Sequence, residues 1–359
     1  MPGAVYLAAV IILAAAILFV AVTQCKKDRT VTYSLYPYLP EAGYYSEVLE
    51  EEWSKLHPDV TLEHMPYNCY SDGRPEGIDV VMYDVLLEKE FVEKDYLKPL
   101  DVHDLIDTED FYGFTLEPAD GYQDNYGVPV FLCCDLMIYD RNDSELNKAE
   151  NIFDVAGSDS SILISFAMYG YDIYLLDAAA DKTQDPVATQ YKDRLKDIDV
   201  SANRKALANA AVPEYRDADS GDFAGLYDSG AAGGYIGYTE TMRSLSARLD
   251  RTEIKQISMD EQDNVPLYYC DMAGISADVP EDQIGLCMDL IRIMTDREVM
   301  ERASVKDGRP QYLMSPRISF YDDMEKEYPM YAKLKDIVAN ENNRLFRAYG
   351  SFMDDTNRR

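Results

Sequence analysis

Short apolar runs separated by amphipathic stretches characterise the first part of this chain. Residues 31–36 alternate between apolar and polar side chains, which predicts a half-buried strand. Residues 43–57 carry apolar side chains at helical spacing, and 59–63 is a second strand candidate. The apolar run 78–84 is typical of a buried strand, and a helix is expected over 85–95. This order of elements predicts an α/β fold with a parallel, doubly wound sheet.

The later part of the chain repeats this alternation. Residues 151–250 predict a second α/β lobe, whose Gly-rich passage forms turns before a helix that runs to Leu249. Strands are expected over 254–259 and 265–274, and a long amphipathic helix over 281–304. The remainder, up to residue 348, is helical and polar.

Two crossings between lobes define the predicted domains. The chain leaves the first lobe near 130–140 and returns near 255–275, which predicts a clamshell that closes by a hinge around a small ligand. The predicted boundaries are an N-terminal signal or anchor over 1–29, a first lobe over 30–135 plus 270–316, and a second lobe over 136–269 plus 317–359.

Length and charge narrow the possible functions. The chain has 359 residues, more than a single hydrophobic core usually serves. Its net charge of −32 repels phosphate backbones, which argues against nucleic-acid binding and favours a cationic small molecule. The 29 tyrosines would suit a flat organic cation, because aromatic rings stack on such molecules and attract their charge.

Residues 3–24 are almost wholly apolar and uncharged, and this length could span a membrane. A retained signal anchor, a cleaved signal peptide and a lipoprotein leader lipidated at Cys25 are all consistent with it. Gln24 argues against the leader, since a small residue normally precedes a lipidated cysteine. Lys26 and Lys27 would by the positive-inside tendency leave the body in the cytoplasm. We expect export to the cell surface or beyond, because an acidic body behind one apolar segment is typical of secreted or tethered proteins.

The cysteines predict neither a disulfide framework nor a metal site. Six in a chain of this length are too sparse for such a framework, and no CxxC pair occurs. The three histidines lie near no cysteine in a zinc-like spacing. We therefore expect no metal and no cofactor.

Candidate reactive groups follow the apolar run Gly127–Leu132, which ends in Cys133, Cys134 and Asp135. A cysteine at such a position is usually a small buried hydrophobe, and reactivity requires a special site. Ligands of doubly wound sheets bind beyond the carboxyl ends of strands, where Tyr36 and Asp84 are expected.

Five elements in order carry a resemblance to a known family. They are Ser34-Leu35-Tyr36-Pro37-Tyr38, Ile78–Asp84, Val128-Pro129-x-x-Leu132-Cys133, Gly237-Tyr238-Thr239-Glu240 and Tyr269-x-Asp271. Together they resemble thiaminase I (thiamine pyridinylase) over most of 30–275, and more loosely to the C terminus. The resemblance implies the type II periplasmic-binding-protein fold, a two-lobed clamshell in which each lobe is a sheet flanked by helices.

By position, the resemblance implies that Cys133 is the nucleophile and Glu240 the base that activates it. The residues implied to line the thiamine site are Tyr36, Tyr38, Tyr70, Asp84, Tyr238, Tyr269 and Asp271. Tyr67 competes with Tyr70 for its place. A further acidic residue before the cysteine is either Asp110 or Asp120. Cys134 departs from the family, which is expected to carry a small polar residue there.

The implied activity is base exchange with ping-pong kinetics, in which an organic amine or thiol accepts the pyrimidine part of thiamine. The protein is expected to act as a monomer and to contact a membrane only through its N-terminal segment. The alternative is a non-catalytic lipoprotein that delivers thiamine or a related pyrimidine to a transporter.

Overall fold

The computed structural model describes residues 29–119, 121–167, 170–184 and 197–347. The predicted apolar segment 3–24, Cys25 and Asp120 lie outside these residues, as do residues 185–196 of the predicted second lobe. No helix in the described ranges is long and apolar enough to cross a membrane.

The strands are β1 (Arg29–Ser34), β2 (Val60–His64), β3 (Val80–Asp84), β4 (Val128–Cys133), β5 (Leu136–Asp140), β6 (Ile162–Leu163), β7 (Gly234–Gly237), β8 (Thr252–Lys255), β9 (Leu267–Ile275), β10 (Val305–Lys306), β11 (Arg309–Pro310) and β12 (Arg344–Leu345). The α-helices are α1 (Ala42–Leu56), α2 (Glu88–Glu93), α3 (Val102–Leu105), α4 (Ser144–Lys148), α5 (Ile152–Gly157), α6 (Gly170–Thr183), α7 (Ser201–Ala210), α8 (Phe223–Ser229), α9 (Ile284–Met294), α10 (Arg297–Ala303), α11 (Phe320–Glu327) and α12 (Met330–Val338).

The first sheet is mixed, and the prediction that it would be parallel is wrong. Strand β1 pairs in parallel with β2 and β3, as the β-α-β order requires. Strand β9 then runs antiparallel to β3 and also to β4. The strand that re-enters the sheet from the second lobe runs opposite to β3, and the local pattern of residues 29–95 carries no information about it.

The second sheet has the order β6-β7-β5-β8, with β5 antiparallel to both of its neighbours. Only residues 134 and 135 separate β4 in the first sheet from β5 in the second. The chain returns between β8 and β9. Both crossings fall where the sequence pattern predicted them, and the α/β architecture of two sheets with flanking helices is confirmed.

Two predicted helices are shorter than expected, because carboxylate side chains accept hydrogen bonds from backbone N–H groups within the predicted ranges. The helix expected over 281–304 is divided into α9 and α10, since the Asp296 carboxylate accepts hydrogen bonds from the N–H groups of Glu298 and Val299 and starts a new helix. The helix expected up to Leu249 is instead a 3₁₀ helix over Thr239–Ser244. The Asp228 carboxylate accepts hydrogen bonds from the N–H groups of residues 246, 247 and 248, which holds them in a loop.

The C-terminal part of the described chain forms ion pairs with residues near both sheets. Arg317 forms an ion pair with Asp110, near the first sheet, and Lys333 pairs with Glu253 at the second. Strand β12 joins the first sheet beside β9. The predicted domain boundaries stay a prediction.

Candidate active site

The first crossing places Cys133 at the end of β4. Cys133 lies directly opposite Tyr269 of β9, after a bulge between Pro129 and Phe131 that shifts the register by one residue. Its side chain is half-buried, whereas Cys134 is 2% exposed and hydrogen-bonded to Tyr268. The two thiols therefore have different surroundings, and Cys133 is the more accessible one.

Strand register brings four predicted site residues onto one face of the first sheet. Cys133 pairs with Tyr269, and Asp271, two residues further along β9, pairs with Asp84 of β3. Directly opposed residues share a face, as do residues two apart in one strand. The predicted site residues Cys133, Tyr269, Asp271 and Asp84 thus project from the same face.

The paired carboxyl groups of Asp84 and Asp271 are held in an environment that opposes ionisation. Burial raises the pKa of Asp84 to about 6, although it accepts hydrogen bonds from the Leu86 N–H at 2.9 Å and the Tyr70 hydroxyl at 2.5 Å. Burial, followed by the charges of Asp84 and Glu240, raises the pKa of Asp271 well above its usual range.

Three tyrosines form a group beside Asp84. The Tyr36 hydroxyl lies 2.8 Å from that of Tyr70, and the Tyr38 ring lies 5.8 Å from the Tyr36 ring and 6.0 Å from the Tyr70 ring. Tyr38 is 67% exposed and so leaves an aromatic face open to solvent. The competitor Tyr67 donates instead to the Gly73 carbonyl at 2.6 Å, so Tyr70 is the tyrosine that joins this group.

Glu240 reaches the site from the second sheet. It lies just after β7 in the 3₁₀ helix Thr239–Ser244, which is anchored by a 2.7 Å hydrogen bond from the Thr239 hydroxyl to the Tyr312 carbonyl. Burial raises the pKa of Glu240 to about 7. Burial, and then the charges of Glu240, Asp271 and Asp84, raise the pKa of the Cys133 thiol well above its usual range. The thiol is therefore protonated at neutral pH, beside a carboxyl group that titrates there.

The rings of Tyr238 and Tyr269 complete the group of predicted residues. They meet edge to face with centroids 5.9 Å apart, and Phe346 meets Tyr269 edge to face at 5.6 Å. Tyr269 and Phe346 belong to one apolar cluster, against which Cys133 and Tyr238 pack. All nine predicted site residues thus come together, seven of them from the first sheet's strands or the segments next to them and two, Tyr238 and Glu240, from the segment after β7.

Asp110 does not join the site. Its carboxylate pairs with Arg317 at 2.6 Å and accepts hydrogen bonds from the Ser319 N–H and hydroxyl at 2.8 and 2.7 Å. These contacts tie the loop before β4 to the segment before α11. Asp110 is thus engaged structurally, and its rival Asp120 lies outside the described residues.

Sequence reasoning assigned no role to Asp135 and did not find the acidic group to which it belongs. Asp135, Tyr174 and Asp177 line a small cavity together with Cys134 and Tyr269. Burial and the charge of Glu240 raise the pKa of Asp135 to about 7. Burial and the charges of Asp181 and Asp135 raise the pKa of Asp177 well above its usual range. Asp135 could have been found from its place beside Cys134, but Asp177 lies on α6 and carries no comparable signal.

The predicted site residues form an acidic, tyrosine-rich group around the Cys133 thiol. Carboxyl groups accept hydrogen bonds from an amino-substituted ring when ionised, and they balance a positive charge. Within the described residues, no group of three or more His, Cys, Asp or Glu side chains has an arrangement that could hold a metal ion. A thiol beside a carboxyl group can supply a sulfur nucleophile with proton transfer to the carboxylate.

Sequence comparison identifies a relative of known activity. The chain is 28% identical over 360 residues to Thiaminase-1 of Paenibacillus thiaminolyticus, covering 90% of this chain and 85% of that protein. The chain is a thiaminase I homologue. The resemblance expected from the five sequence elements is confirmed, although no family model matches the chain.

Solved thiaminase I structures have the same fold as this homologue. Thiaminase I from Bacillus thiaminolyticus superposes with a TM-score of 0.82 at 26% identity, covering 92% of this chain and 98% of that one. Clostridium botulinum thiaminase I in complex with thiamin superposes with a TM-score of 0.78 at 26% identity, covering 91% of this chain and 97% of that one.

The fold is also shared with transporter components. A spermidine/putrescine ABC transporter substrate-binding protein from Streptococcus pneumoniae superposes on this homologue with a TM-score of 0.63 at 10% identity, covering 91% of this chain and 97% of that one. At this identity the likeness concerns the fold alone. The predicted periplasmic-binding-protein-like clamshell is confirmed.

Proposed function

We propose that this protein is a thiamine pyridinylase, a transferase that cleaves thiamine by base exchange. The observation that carries the proposal is the meeting of Cys133, at the end of β4 in the first sheet, with Glu240, just after β7 in the second, among acidic and tyrosine side chains. Similarity to thiaminase I over 90% of the chain supports the reaction class.

Thiamine is a cation whose aminopyrimidine and thiazolium rings are joined by a methylene bridge. Asp84 and Asp271 accept hydrogen bonds from the aminopyrimidine and balance the positive charge. Tyr36, Tyr38 and Tyr70 supply aromatic faces and edges for its rings. The arriving cation favours the ionised forms of the carboxyl groups, whose pKa values burial has raised.

Glu240 then removes the proton from the Cys133 thiol. The thiolate forms a bond to a pyrimidine ring carbon, the bond between the methylene carbon and the thiazolium nitrogen breaks, and the electron pair leaves with the neutral thiazole. An amine or thiol acceptor attacks the methylene carbon and the enzyme sulfur departs. Glu240 returns its proton to that sulfur, and the acceptor loses its own proton to solvent. Two half-reactions of this kind give ping-pong kinetics.

Intact-mass measurement after exposure to thiamine without an acceptor tests this sequence. Wild-type protein is expected to gain the mass of the pyrimidine part on Cys133. Cys133→Ser should gain no mass and lose turnover by at least about 10³-fold, because a serine hydroxyl is a far weaker nucleophile than a thiolate at neutral pH.

Cys134→Ser is the matched control, since it makes the same change one residue further along the chain. It should keep the adduct and most of the turnover. Persistence of intact thiamine with folded wild-type protein and an amine acceptor, together with an unchanged mass, would favour the non-catalytic binding protein instead.

We also propose that residues 3–24 direct the protein to export, that its body acts as a monomer, and that a small amine or thiol is its second substrate. Cell fractionation and light scattering of the purified protein test the first two. A panel of amines and thiols, compared by the rate of thiazole release, tests the third.

A further inference from the structure

The last described residues, Arg344–Arg347, form a strap across the end of β9. The Arg344 N–H donates to the Pro266 carbonyl at 3.0 Å, and the Phe346 N–H donates to the Tyr268 carbonyl at 2.7 Å. These bonds fix the strap beside the residue that precedes Tyr269. We refer to Arg344–Arg347 as the C-terminal strap.

A buried ion pair holds the end of the C-terminal strap. The Arg347 guanidinium pairs with the Glu88 carboxylate, and these side chains are 7% and 1% exposed. A second guanidinium nitrogen donates to the Glu117 carbonyl at 2.6 Å. Arg347 thus joins the start of α2, four residues after Asp84, to the loop that precedes β4.

Phe346 is the strap residue that faces the candidate site. It is fully buried, and its ring meets the Tyr269 ring at an interplanar angle of 90°. Tyr238 meets the same ring at 80°. Tyr269 therefore has Phe346 and Tyr238 as edge-to-face neighbours, while Cys133 packs against the same apolar cluster.

A buried ion pair is a poor means of stabilising a fold, because desolvating two charges offsets much of their attraction. Its geometric effect is more specific, since a guanidinium that bonds to two separate segments fixes the chain at both. Here the fixed chain carries the ring that packs against Tyr269. Removing that ring would leave a cavity into which Tyr269 could tilt.

We infer that Phe346 is a positioning residue for the proposed reaction and that the Arg347–Glu88 pair holds it in place. Phe346 acts through Tyr269, whose orientation aligns the substrate ring with the Cys133 sulfur. The inference rests on the proposed function, because it concerns the step in which that sulfur attacks.

Single-turnover formation of the Cys133 adduct, measured with the full-length protein and thiamine, tests the role of Phe346. Phe346→Ala should slow adduct formation about 10- to 100-fold, since small misplacement of reacting groups has effects of this size. The concentration of thiamine for half-maximal rate should change less than threefold. Phe346→Leu, which refills part of the cavity, should recover part of the rate and gives the answer if Phe346→Ala does not fold.

Leu345→Ala is the matched control within the strap. Leu345 is 8% exposed, and its truncation also creates a cavity, but its side chain lies on the opposite face of the strand from that of Phe346. It should lower the thermal midpoint while leaving the rate constant within twofold. Equal slowing by Leu345→Ala and Phe346→Ala would overturn the inference.

The ion pair is tested by Arg347→Met alone and in combination with Glu88→Gln. Arg347→Met leaves a buried carboxylate without its partner and should lower both stability and rate. The double variant removes the unpaired charge and should regain stability but not rate, because Phe346 is no longer held. Arg344→Met, whose side chain donates to the nearby Glu341 and Asn343 carbonyls among the described residues, should leave both unchanged.

The outcomes separate this inference from the function on which it rests. A folded wild-type protein that forms no adduct overturns both. Normal adduct formation by the wild type, with a normal rate in Phe346→Ala, overturns the inference alone; where Phe346→Ala does not fold, a normal rate in Phe346→Leu does so. Full recovery of rate in the Glu88→Gln/Arg347→Met variant overturns the role of the ion pair.

Discussion

At the scale of single residues, burial determines the chemistry of the candidate site. Desolvation is the largest cause of the raised pKa values of Asp84, Asp271, Glu240 and Cys133. Neighbouring carboxylates add to the shift at Asp271 and Cys133, because like charges near one another oppose ionisation. A site built in this way is poised for a cation, whose arrival relieves both effects.

Glu240 should set the lower limb of the pH profile of the reaction. Its pKa of about 7 means that the carboxylate form needed for proton removal is a minor species at pH 6 and the major one at pH 8. The ratio kcat/KM should therefore rise about tenfold per pH unit below 7 and level off above it.

Glu240→Gln should remove this limb and lower kcat/KM by about 10²- to 10⁴-fold. The control is Glu261→Gln, which changes an exposed glutamate of the loop before β9 and should leave the profile intact. A wild-type rate that does not change between pH 5.5 and 8 would rule out Glu240 as the base.

Single residues were predictable from the sequence only where several motifs fixed their order. The family's spacing assigns Cys133 and Glu240, and in the structure the Glu240 carboxyl group lies close enough to raise the pKa of the Cys133 thiol. Tyr70 and Tyr67 could not be separated, because only the hydroxyl contacts distinguish them. Asp177 was missed because burial on α6, rather than its neighbours in sequence, gives it a raised pKa.

At the scale of secondary structure, helix caps determine where helices end, and strand pairing determines which side chains lie opposite one another. The pattern of apolar residues predicted the existence of β1, α1, β3 and β9 within a few residues. It did not predict the register of β9 against β3 and β4, since a shift by one residue inverts the face of every side chain. That register is what brings Asp271 opposite Asp84 and Tyr269 opposite Cys133.

Asp110 should stabilise the contact between two loops rather than bind substrate. Asp110→Asn removes the charge from the ion pair with Arg317, in which the Arg317 side chain is 14% exposed and the Asp110 side chain 20%. It also weakens two hydrogen bonds from Ser319. We expect the free energy of unfolding to fall by about 1–3 kcal/mol, as for hydrogen bonds to charged groups.

The KM for thiamine and kcat should stay within twofold of the wild-type values in Asp110→Asn. Urea unfolding gives the first quantity and steady-state kinetics the other two. A large rise in KM without loss of stability would instead return Asp110 to the list of substrate-binding residues.

At the scale of the whole molecule, the acidic cleft links stability to pH and to ligand. The folded-state pKa values of Asp84, Asp135 and Glu240 are about 6, 7 and 7, all above the ordinary values near 4. Each group therefore contributes stability below pH 4 that is lost as the pH rises through 6 to 7. The net charge of −32 acts in the same direction at high pH, because it repels itself in the compact state.

Thermal unfolding between pH 5 and 8 should show a midpoint that falls as the pH rises. The increase in the midpoint caused by thiamine should be larger at pH 8 than at pH 5, since a cation interacts most strongly with ionised carboxyl groups. Measuring this with Cys133→Ser avoids turnover. Asp135→Asn should reduce the pH slope in the absence of ligand, and a midpoint that is flat across this range would contradict the prediction.

The position of Cys133 at the first crossing has a consequence for how such an enzyme could arise. The crossing residues lie between β4 and β5, whose backbones are fixed by pairing with β9 and with β7 and β8. A thiol at the end of β4 and a carboxylate after β7 therefore add reactivity without a new loop, metal or domain. Substitutions at these two existing positions are thus enough to place both reactive groups, with the strand pairing of the fold unchanged.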